Sequence, residues 1–274
     1  MKYSKGMSKE PVIHRTKRGP LLMSPIVDSC RRGLGELGKA LGDTLLPRSC
    51  QGCGVVLETN DRGLCVLCWR GVQDAIGDGP YCPRCGSAVG AFTQANAGCN
   101  RCRDFKPSYH RLARVGRYRG PLAEMIRKLK FRREVHSARL LGKLLLGAVQ
   151  AEQPQLKFDL LSWVPLHWWR QWCRGYNQAE LLARRLGDLM GPRAGPLLRR
   201  VRWTVPQTHL RSRQARRENV RGAFALRRGL DVADKQILLI DDVLTTGATA
   251  SEAASVLRKD GAMVTVAVVA VAGG

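Results

Sequence analysis

Apolar residues along this chain come in short unbroken runs and in helical stripes, and the two alternate. Ile237-Leu238-Leu239-Ile240 is a run suited to a strand buried on both faces. Beyond a polar turn, Ser251, Glu252, Ala253, Ala254, Val256 and Leu257 carry a helical pattern that stops at Asp260-Gly261, where glycine suits a helix end. Met263 to Val271 is again apolar and β-branched, so the C-terminal stretch reads as a βαβ unit with a right-handed connection. Upstream, Tyr118 to Glu152 reads as one helix or two. Pro121 suits a first turn, Leu122, Met125, Ile126 and Leu129 form one face, and Leu140, Leu141, Leu144, Leu145 and Val149 continue it. Lys157 to Leu166 is a strand ending at Pro165, and Asn177 to Leu189 is a helix with Ala179, Leu182, Leu186 and Leu189 in register. Leu197 to Gln207 and Ala223 to Leu226 are extended, and Val27 to Leu46 is a moderately amphipathic helix ended by Pro47. This alternation predicts an α/β protein with a parallel sheet and helices on both of its faces. No run reaches the roughly 18 apolar residues of a transmembrane helix, so membrane insertion is not expected.

Composition adds one anomaly. With 44% hydrophobic residues the chain can build a core, which excludes global disorder, and 274 residues suit one large or two ordinary domains. The formal net charge is +24. It implies an anionic partner, nucleic acid most simply, or nucleotide and pyrophosphate substrates; a solvated basic surface is the plain alternative. Lys2, Lys5, Lys9, Arg15, Lys17 and Arg18 make the first residues basic, while prolines break the only apolar stretch there, so no secretory signal is read and a cytoplasmic location is expected. Three regions follow: a basic extension with a short helix at 1–47, a cysteine-rich segment at 48–106 and the α/β domain at 107–274.

The middle region holds four Cys-x-x-Cys pairs: Cys50 with Cys53, Cys65 with Cys68, Cys82 with Cys85, and Cys99 with Cys102. Such a pair in a tight turn aims two thiolates at one metal, and four thiolates close a tetrahedral structural zinc site with no position left for catalysis. About two zinc ions per chain are expected; disulfides and an iron–sulfur cluster are the lesser alternatives. Consecutive pairs sharing an ion is the simplest topology, and a cross-braced arrangement stays open. Cys30 and Cys173 have no cysteine partner nearby and read as small hydrophobes.

The candidate chemistry lies after the run at 237–240. Asp241 and Asp242 stand where open α/β sheets bind ligands, at the carboxyl end of a strand. Val243, Leu244, Thr245, Thr246, Gly247, Ala248 and Thr249 then lead into a helix, whose first N–H groups lack partners and sit at the positive end of the dipole. Gly247 allows close approach of an anion, the threonine hydroxyls donate, and the carboxylates accept from sugar hydroxyls, so a ribose phosphate suits the loop. This run resembles the phosphoribosyl-pyrophosphate loop of type I phosphoribosyltransferases.

A second cluster follows Pro165. Trp168, Trp169 and Trp172 alternate with Arg170 and Arg174, a mixture that suits stacking of single-stranded nucleic acid; packing at a junction is the equal alternative, and the two arginines also suit pyrophosphate. Arg127, Lys128, Lys130, Arg132 and Arg133 read mostly as a solvated face, with Lys130, beside Phe131, the one that could reach an anion. Thr208 to Asn219, with Arg213, Arg216 and Arg217, reads as a cationic flap over an anionic ligand or as an ordinary basic loop.

Taken together these motifs resemble one family. Four Cys-x-x-Cys pairs precede Val-Pro-Leu-x-x-x-Arg-x-x-x-Arg-Gly-Tyr-Asn-Gln at 164–178, Arg-x-x-Asn at 216–219 with Gly222-Ala223-Phe224, and the acid pair at 241–242. From about Arg48 onward the chain is similar to the ComF/GntX family. The resemblance implies a double zinc ribbon joined to a type I phosphoribosyltransferase-like domain, and a role in DNA uptake and natural transformation. It implies single-stranded DNA as a partner beside phosphoribosyl pyrophosphate or a nucleotide, with DNA-uptake translocase or helicase proteins as further partners. Carried over residue by residue, Asp241 and Asp242 with Thr245, Thr246, Gly247 and Thr249 hold the ribose phosphate. Arg170, Arg174 and Asn177 fall at the pyrophosphate-side loop. Mg²⁺ with phosphoribosyl pyrophosphate is implied if the domain is an active transferase.

Overall fold

Alternating patterns become alternating elements in the computed structural model, which describes residues 48–57, 63–77, 79–90, 99–102, 106–131, 134–205, 210 and 212–273. The basic extension and the helix expected at Val27 to Leu46 lie outside the described residues. In chain order the elements are α1 (Val66–Ile76), β1 (Arg111–Arg117), α2 (Gly120–Phe131), α3 (Ser137–Glu152), β2 (Leu160–Trp163), α4 (Trp168–Arg174), α5 (Gln178–Met190), β3 (Leu198–Arg200), α6 (Arg213–Val220), β4 (Phe224–Leu226), β5 (Gln236–Leu244), α7 (Ala248–Lys259) and β6 (Met263–Val271).

Four strands form a parallel sheet in the order β1-β6-β5-β2. Both faces are covered, which is why β5 and β6 read as continuous apolar runs. Leu161, Trp163, Leu238, Ile240, Ala267 and Val269 point to the side of α1, α2, α3 and α5. Ile237, Leu239, Val264, Val266 and Val268 point the other way, to α7 and the antiparallel pair β3–β4. Each such side chain removed from water contributes about 1.5–3 kcal/mol.

Of the two options for 118–152, the two-helix one holds, as α2 and α3. Differences from the pattern reading lie elsewhere and have local causes. Of the extended run at Leu197 to Gln207 the described part holds β3 alone, and the stretch read as a flap contains α6, capped by the Ser212 hydroxyl accepting from the Ala215 N–H at 3.0 Å. Strand β1 was invisible because Arg111, Arg114 and Arg117 interrupt its apolar residues. Arg114 is nevertheless buried at 4% exposure, its guanidinium 4.5 Å from the centre of the Tyr81 ring.

The cysteine-rich segment leans on β1, an edge of the sheet. Val72 and Ala75 of α1 share a core with Ala113, Val115 and Leu122. Gly116 has no room for a side chain, since a Cβ would stand 2.5 Å from the Ala75 carbonyl oxygen. On the other side the Leu112 N–H donates to the Pro83 carbonyl at 2.8 Å, the Tyr81 hydroxyl to Glu152 at 3.0 Å, and Gly86 sits tight against Leu112 and Val271. Covering this edge removes an exposed row of backbone donors that would otherwise pair with another chain.

Candidate metal centres and candidate nucleotide site

Each cysteine pair sits in a turn closed by backbone hydrogen bonds. Gly54 N–H donates to the Cys50 carbonyl and Gly86 N–H to that of Cys82, both at 2.8 Å. Both glycines have positive φ, 84° and 69°, so the turn geometry itself calls for glycine. The eight sulfurs fall into two groups of four, each within 4.8 Å: Cys50, Cys53, Cys65 and Cys68, then Cys82, Cys85, Cys99 and Cys102. Consecutive pairs therefore come together, and the cross-braced alternative is set aside. Sulfur separations of 3.8 Å (Cys53 to Cys65) and 3.7 Å (Cys82 to Cys102) match the spacing of about 3.8 Å that tetrahedral zinc with bonds of about 2.3 Å requires. The Cys65 N–H also donates to the Cys50 sulfur at 3.3 Å. Burial alone would raise the Cys50 thiol, but the N–H groups of Cys53, Cys65 and Gly52 outweigh it and bring it down to about 6. Burial and the neighbouring sulfurs push Cys68 and Cys102 well up. Four thiolates this close need a dication between them, so the two Cys₄ clusters fit structural zinc.

At the carboxyl end of β5 the strand's alternation sends two adjacent acids to opposite faces. Asp242 turns toward α2 and α5. Its carboxylate, 4% exposed with its residue, meets Lys130 Nζ at 2.9 Å and accepts from the Gln178 amide. Arg174 donates to the Gln178 Oε1 at 3.1 Å, which ties α4 to the same network. Asp241 accepts from the Asp242 N–H at 2.8 Å. Burial first, then the charge of Asp242, pushes its carboxyl from 3.8 up to about 7, while the Asp242 N–H, then Lys130 and Arg200, pull it back.

That shift predicts a pH effect. Because the folded state holds this proton more tightly than the unfolded chain, Asp241 stabilises fully below its ordinary 3.8, and the contribution is lost as pH rises through about 7. Asp241→Asn is therefore expected to overtake the wild type in stability above pH 7, with a ceiling of about 4 kcal/mol before water screening. Urea unfolding of both proteins at acid and alkaline pH checks this; a difference independent of pH would refute it.

After Leu244 the loop turns at Gly247, whose φ of 78° makes it the cap of α7, and the Ala248 N–H leans on the Thr246 hydroxyl at 3.4 Å. Leu244 and Ala248 are buried and Val243 packs on the α5 side, so these three anchor the loop, while Thr245, Thr246 and Thr249 are half-buried around it.

The tryptophan segment is the short helix α4 at the end of β2, the strand beside β5. His167 caps it, accepting from the Trp169 N–H at 3.3 Å, and Gly175 ends it in the left-handed region. Trp168, Trp169 and Trp172 are 69%, 49% and 71% exposed, so none packs a junction within the described residues. Neighbouring rings lie 5.8 Å and 5.2 Å apart. Arg174 stacks over exposed Phe131 at 5.1 Å. The Arg170 backbone belongs to α4 and its side chain lies outside the described residues. Asn177 is buried, with both ends of its amide engaged: it accepts from the Ala179 N–H to cap α5 and donates to the Val164 carbonyl, each at 3.0 Å. Arg213, Arg216 and Arg217 lie on α6, which packs against α7; Arg216 donates to the Leu210 carbonyl.

Three residues from other elements gather at the acids: Lys130, already expected to reach an anion, and Gln178 and Arg200, to which the motifs gave no role. Lys130 had a signal, standing beside Phe131. Gln178 closes the motif at 164–178, yet its bond to Asp242 spans 64 positions of sequence. Arg200 is one of several arginines in its stretch, and only its place near Asp241 and over Phe224 distinguishes it.

Fold and sites together define a double-zinc-ribbon protein built on a parallel α/β sheet with an acid-and-threonine loop at its carboxyl end. Residues 41–103 match the family model of the double zinc ribbon domain. The chain is 36% identical over 217 residues, 77% of its own length and 91% of the relative's, to competence protein F of Haemophilus influenzae. It is 34% identical over 222 residues to the DNA utilization protein YhgH of Escherichia coli K12, covering 79% of this chain and 93% of that one. This chain belongs to the family of competence protein F and YhgH. Among solved structures, the glutamine phosphoribosylpyrophosphate amidotransferase of B. subtilis, complexed with ADP and GMP, aligns with 48% of this chain and 26% of its own at 25% identity and a TM-score of 0.32. TT1426 of Thermus thermophilus aligns with 48% and 72% at 20% identity and a TM-score of 0.30. The fold class rests on the sheet order and the loop.

Among the described residues no helix is long and apolar enough to cross a membrane.

Proposed function

We propose that this protein handles DNA in the cytoplasm during uptake or use of external DNA, gripping a single strand or a nucleotide at the carboxyl end of β5. The observation that carries the reading is the exposed tryptophan helix α4, standing at the end of the strand next to the one that bears Asp241 and Asp242. Exposed indole rings remain in water at a cost unless a partner covers them, and bases are flat partners that stack on them. A ribose hydroxyl would bond to the Asp241 carboxylate and a phosphate would meet the Thr245–Thr249 loop, while Arg174 and the arginines of α6 would neutralise further phosphates. The relatives' names, competence protein F and DNA utilization protein, point the same way, and DNA-uptake translocase or helicase proteins are the partners such a role requires.

Anisotropy titration of a labelled oligonucleotide tests this reading. Trp168→Ala with Trp172→Ala should weaken binding by about 1–3 kcal/mol for each stacked base lost. The apparent affinity should also fall steeply with salt, since phosphate contacts release counterions. Binding indifferent to both would sink the proposal.

A second reading is favoured by the loop itself: an active phosphoribosyltransferase, in which a base forms a bond to the ribose anomeric carbon as the bond to pyrophosphate breaks. Asp241 would hold the ribose hydroxyls, Asp242 would fix the strand end through Lys130 and Gln178, and the arginines would steady the leaving pyrophosphate. A Mg²⁺ ion suits such a site, because it takes one or two carboxylates and completes its shell with water and substrate phosphates; bound, it would neutralise pyrophosphate charge. Calorimetry with phosphoribosyl pyrophosphate and Mg²⁺, on the intact protein and on Thr246→Ala with Asp242→Ala, separates the two. Heat only from the intact protein supports the transferase; none at all ends it.

A further inference from the structure

Away from the acids and the threonine loop, the structure holds a second basic feature. A cavity of about 1060 Å³ opens beside the outer edge of β2, between α5 and the β3–β4 pair. Leu161 exchanges backbone hydrogen bonds with Arg193 and Gly195 there, at 3.1 Å and 2.9 Å, so this segment extends the sheet edge and forms one wall. Five arginines line the cavity, Arg184, Arg193, Arg199, Arg227 and Arg228, against a single acid, Asp231. Arg184 is held by Glu180 at 2.8 Å and lies over the Trp163 ring. The side chains of the other four make no hydrogen bond or ion pair among the described residues, and all four are exposed. The floor is apolar, with Leu160 and Pro196.

Four unpaired guanidinium groups around one mouth repel one another, and among the lining residues only Asp231 opposes them. Leu160 pairs with Ile237 in register, so the cavity lies about four residues, roughly 13 Å, back along the strands from Asp241. It is therefore separate from the site described above.

We propose that this cavity is a second binding surface for single-stranded nucleic acid, taking the phosphodiester backbone on its arginines and a base against its apolar floor. The inference rests on the DNA-binding reading of the protein and adds a second point of attachment. One phosphate would fill little of the space, which lies at the upper end of the range for small-molecule clefts. Planar guanidinium groups pair with phosphate oxygens in twos and also stack on bases, so arginine serves both halves of a nucleotide. An acidic peptide would use the charges and leave the apolar floor without a flat partner.

The test compares three forms of the full chain in salt-dependent anisotropy titrations, using an oligothymidine of about 20 nucleotides, longer than one such binding unit, and a trinucleotide. The forms are the wild type, Arg199→Glu/Arg227→Glu/Arg228→Glu, and a control with equal charge change on exposed α3 and α7 positions, Arg139→Glu/Lys143→Glu/Lys259→Glu. The cavity variant should lose about tenfold or more in affinity for the long strand at low salt, with the salt slope reduced by about two to three. Trinucleotide binding and the melting midpoint should stay unchanged. Equal losses in the control would mean that only net charge matters, and would overturn the proposal. Unaltered long-strand binding in the cavity variant would overturn it too while leaving the DNA-binding reading in place. A wild type that binds neither oligonucleotide would overturn that reading and this inference with it.

Discussion

Stripping zinc from the first ribbon is expected to unsettle the α/β domain as well as the ribbon. Cys50, Leu64 and Cys68 belong to the same buried cluster as Val72, Ala113, Val115, Leu122, Leu238 and Ile240. The second set differs: Cys82, Cys85 and Cys102 form a small cluster of their own, packed by Val89 and Cys99. Structural zinc contributes about 10–16 kcal/mol of apparent binding free energy in small zinc domains, comparable to or larger than the whole stability of an ordinary domain. Cys68→Ser should therefore lower bound zinc from two ions to one per chain and drop the melting midpoint by at least about 10 °C, at the ~2–4 °C per kcal/mol typical of chains this size. Cys102→Ser should cost less, because the second cluster meets the sheet through the few contacts of Tyr81, Pro83 and Gly86. Metal analysis and far-ultraviolet melting of both variants decide it. Equal midpoints, or a Cys68 variant that melts like the wild type, would mean that the first ribbon folds independently of the sheet.

Removing the ammonium of Lys130 should have the next largest effect. Asp242 lies almost wholly away from water, and Lys130 is the one cation within ion-pair distance of it among the described residues. Cutting one partner from a buried pair leaves an uncompensated charge and costs about 3–5 kcal/mol. Lys130→Met should therefore lower stability by that amount. It should also raise the Asp241 carboxyl further, since Lys130, with the Asp242 N–H and Arg200, holds it down. Adding Asp242→Leu should restore most of the stability, because replacing both partners by apolar groups of similar size leaves nothing unpaired. The double variant should bind no nucleotide. A double-mutant cycle by urea unfolding reads the coupling; additive losses would show that the pair does not hold the site.

Much of this architecture could be read from residues in order. The βαβ unit at the C-terminus was legible because β5 and β6 are buried on both faces, and such strands leave an unbroken apolar trace. The cysteine pairs were legible because a metal turn needs a fixed spacing, and two of the four also carry the glycine that closes it. Strand β1 was not. Its arginines look like solvent-facing residues until Tyr81, from a distant part of the chain, supplies a ring for Arg114. The loop at 245–249 could be read locally, whereas the meeting of Lys130, Gln178 and Arg200 at the two acids could not, because each comes from a different element.

What the order of residues determined was every feature held by neighbours along the chain: the alternation of elements, the turns that aim the thiols, and the acids and hydroxyls at the end of β5. Only the tertiary structure decided which cysteine pairs share a metal, that Asp242 is neutralised by a lysine from α2, and that the tryptophans of α4 face water. Hydrogen bonds and side-chain spacing within a few residues act at short range and leave a trace in the pattern. Charge pairing and burial depend on residues far apart in sequence, which meet only when the sheet closes.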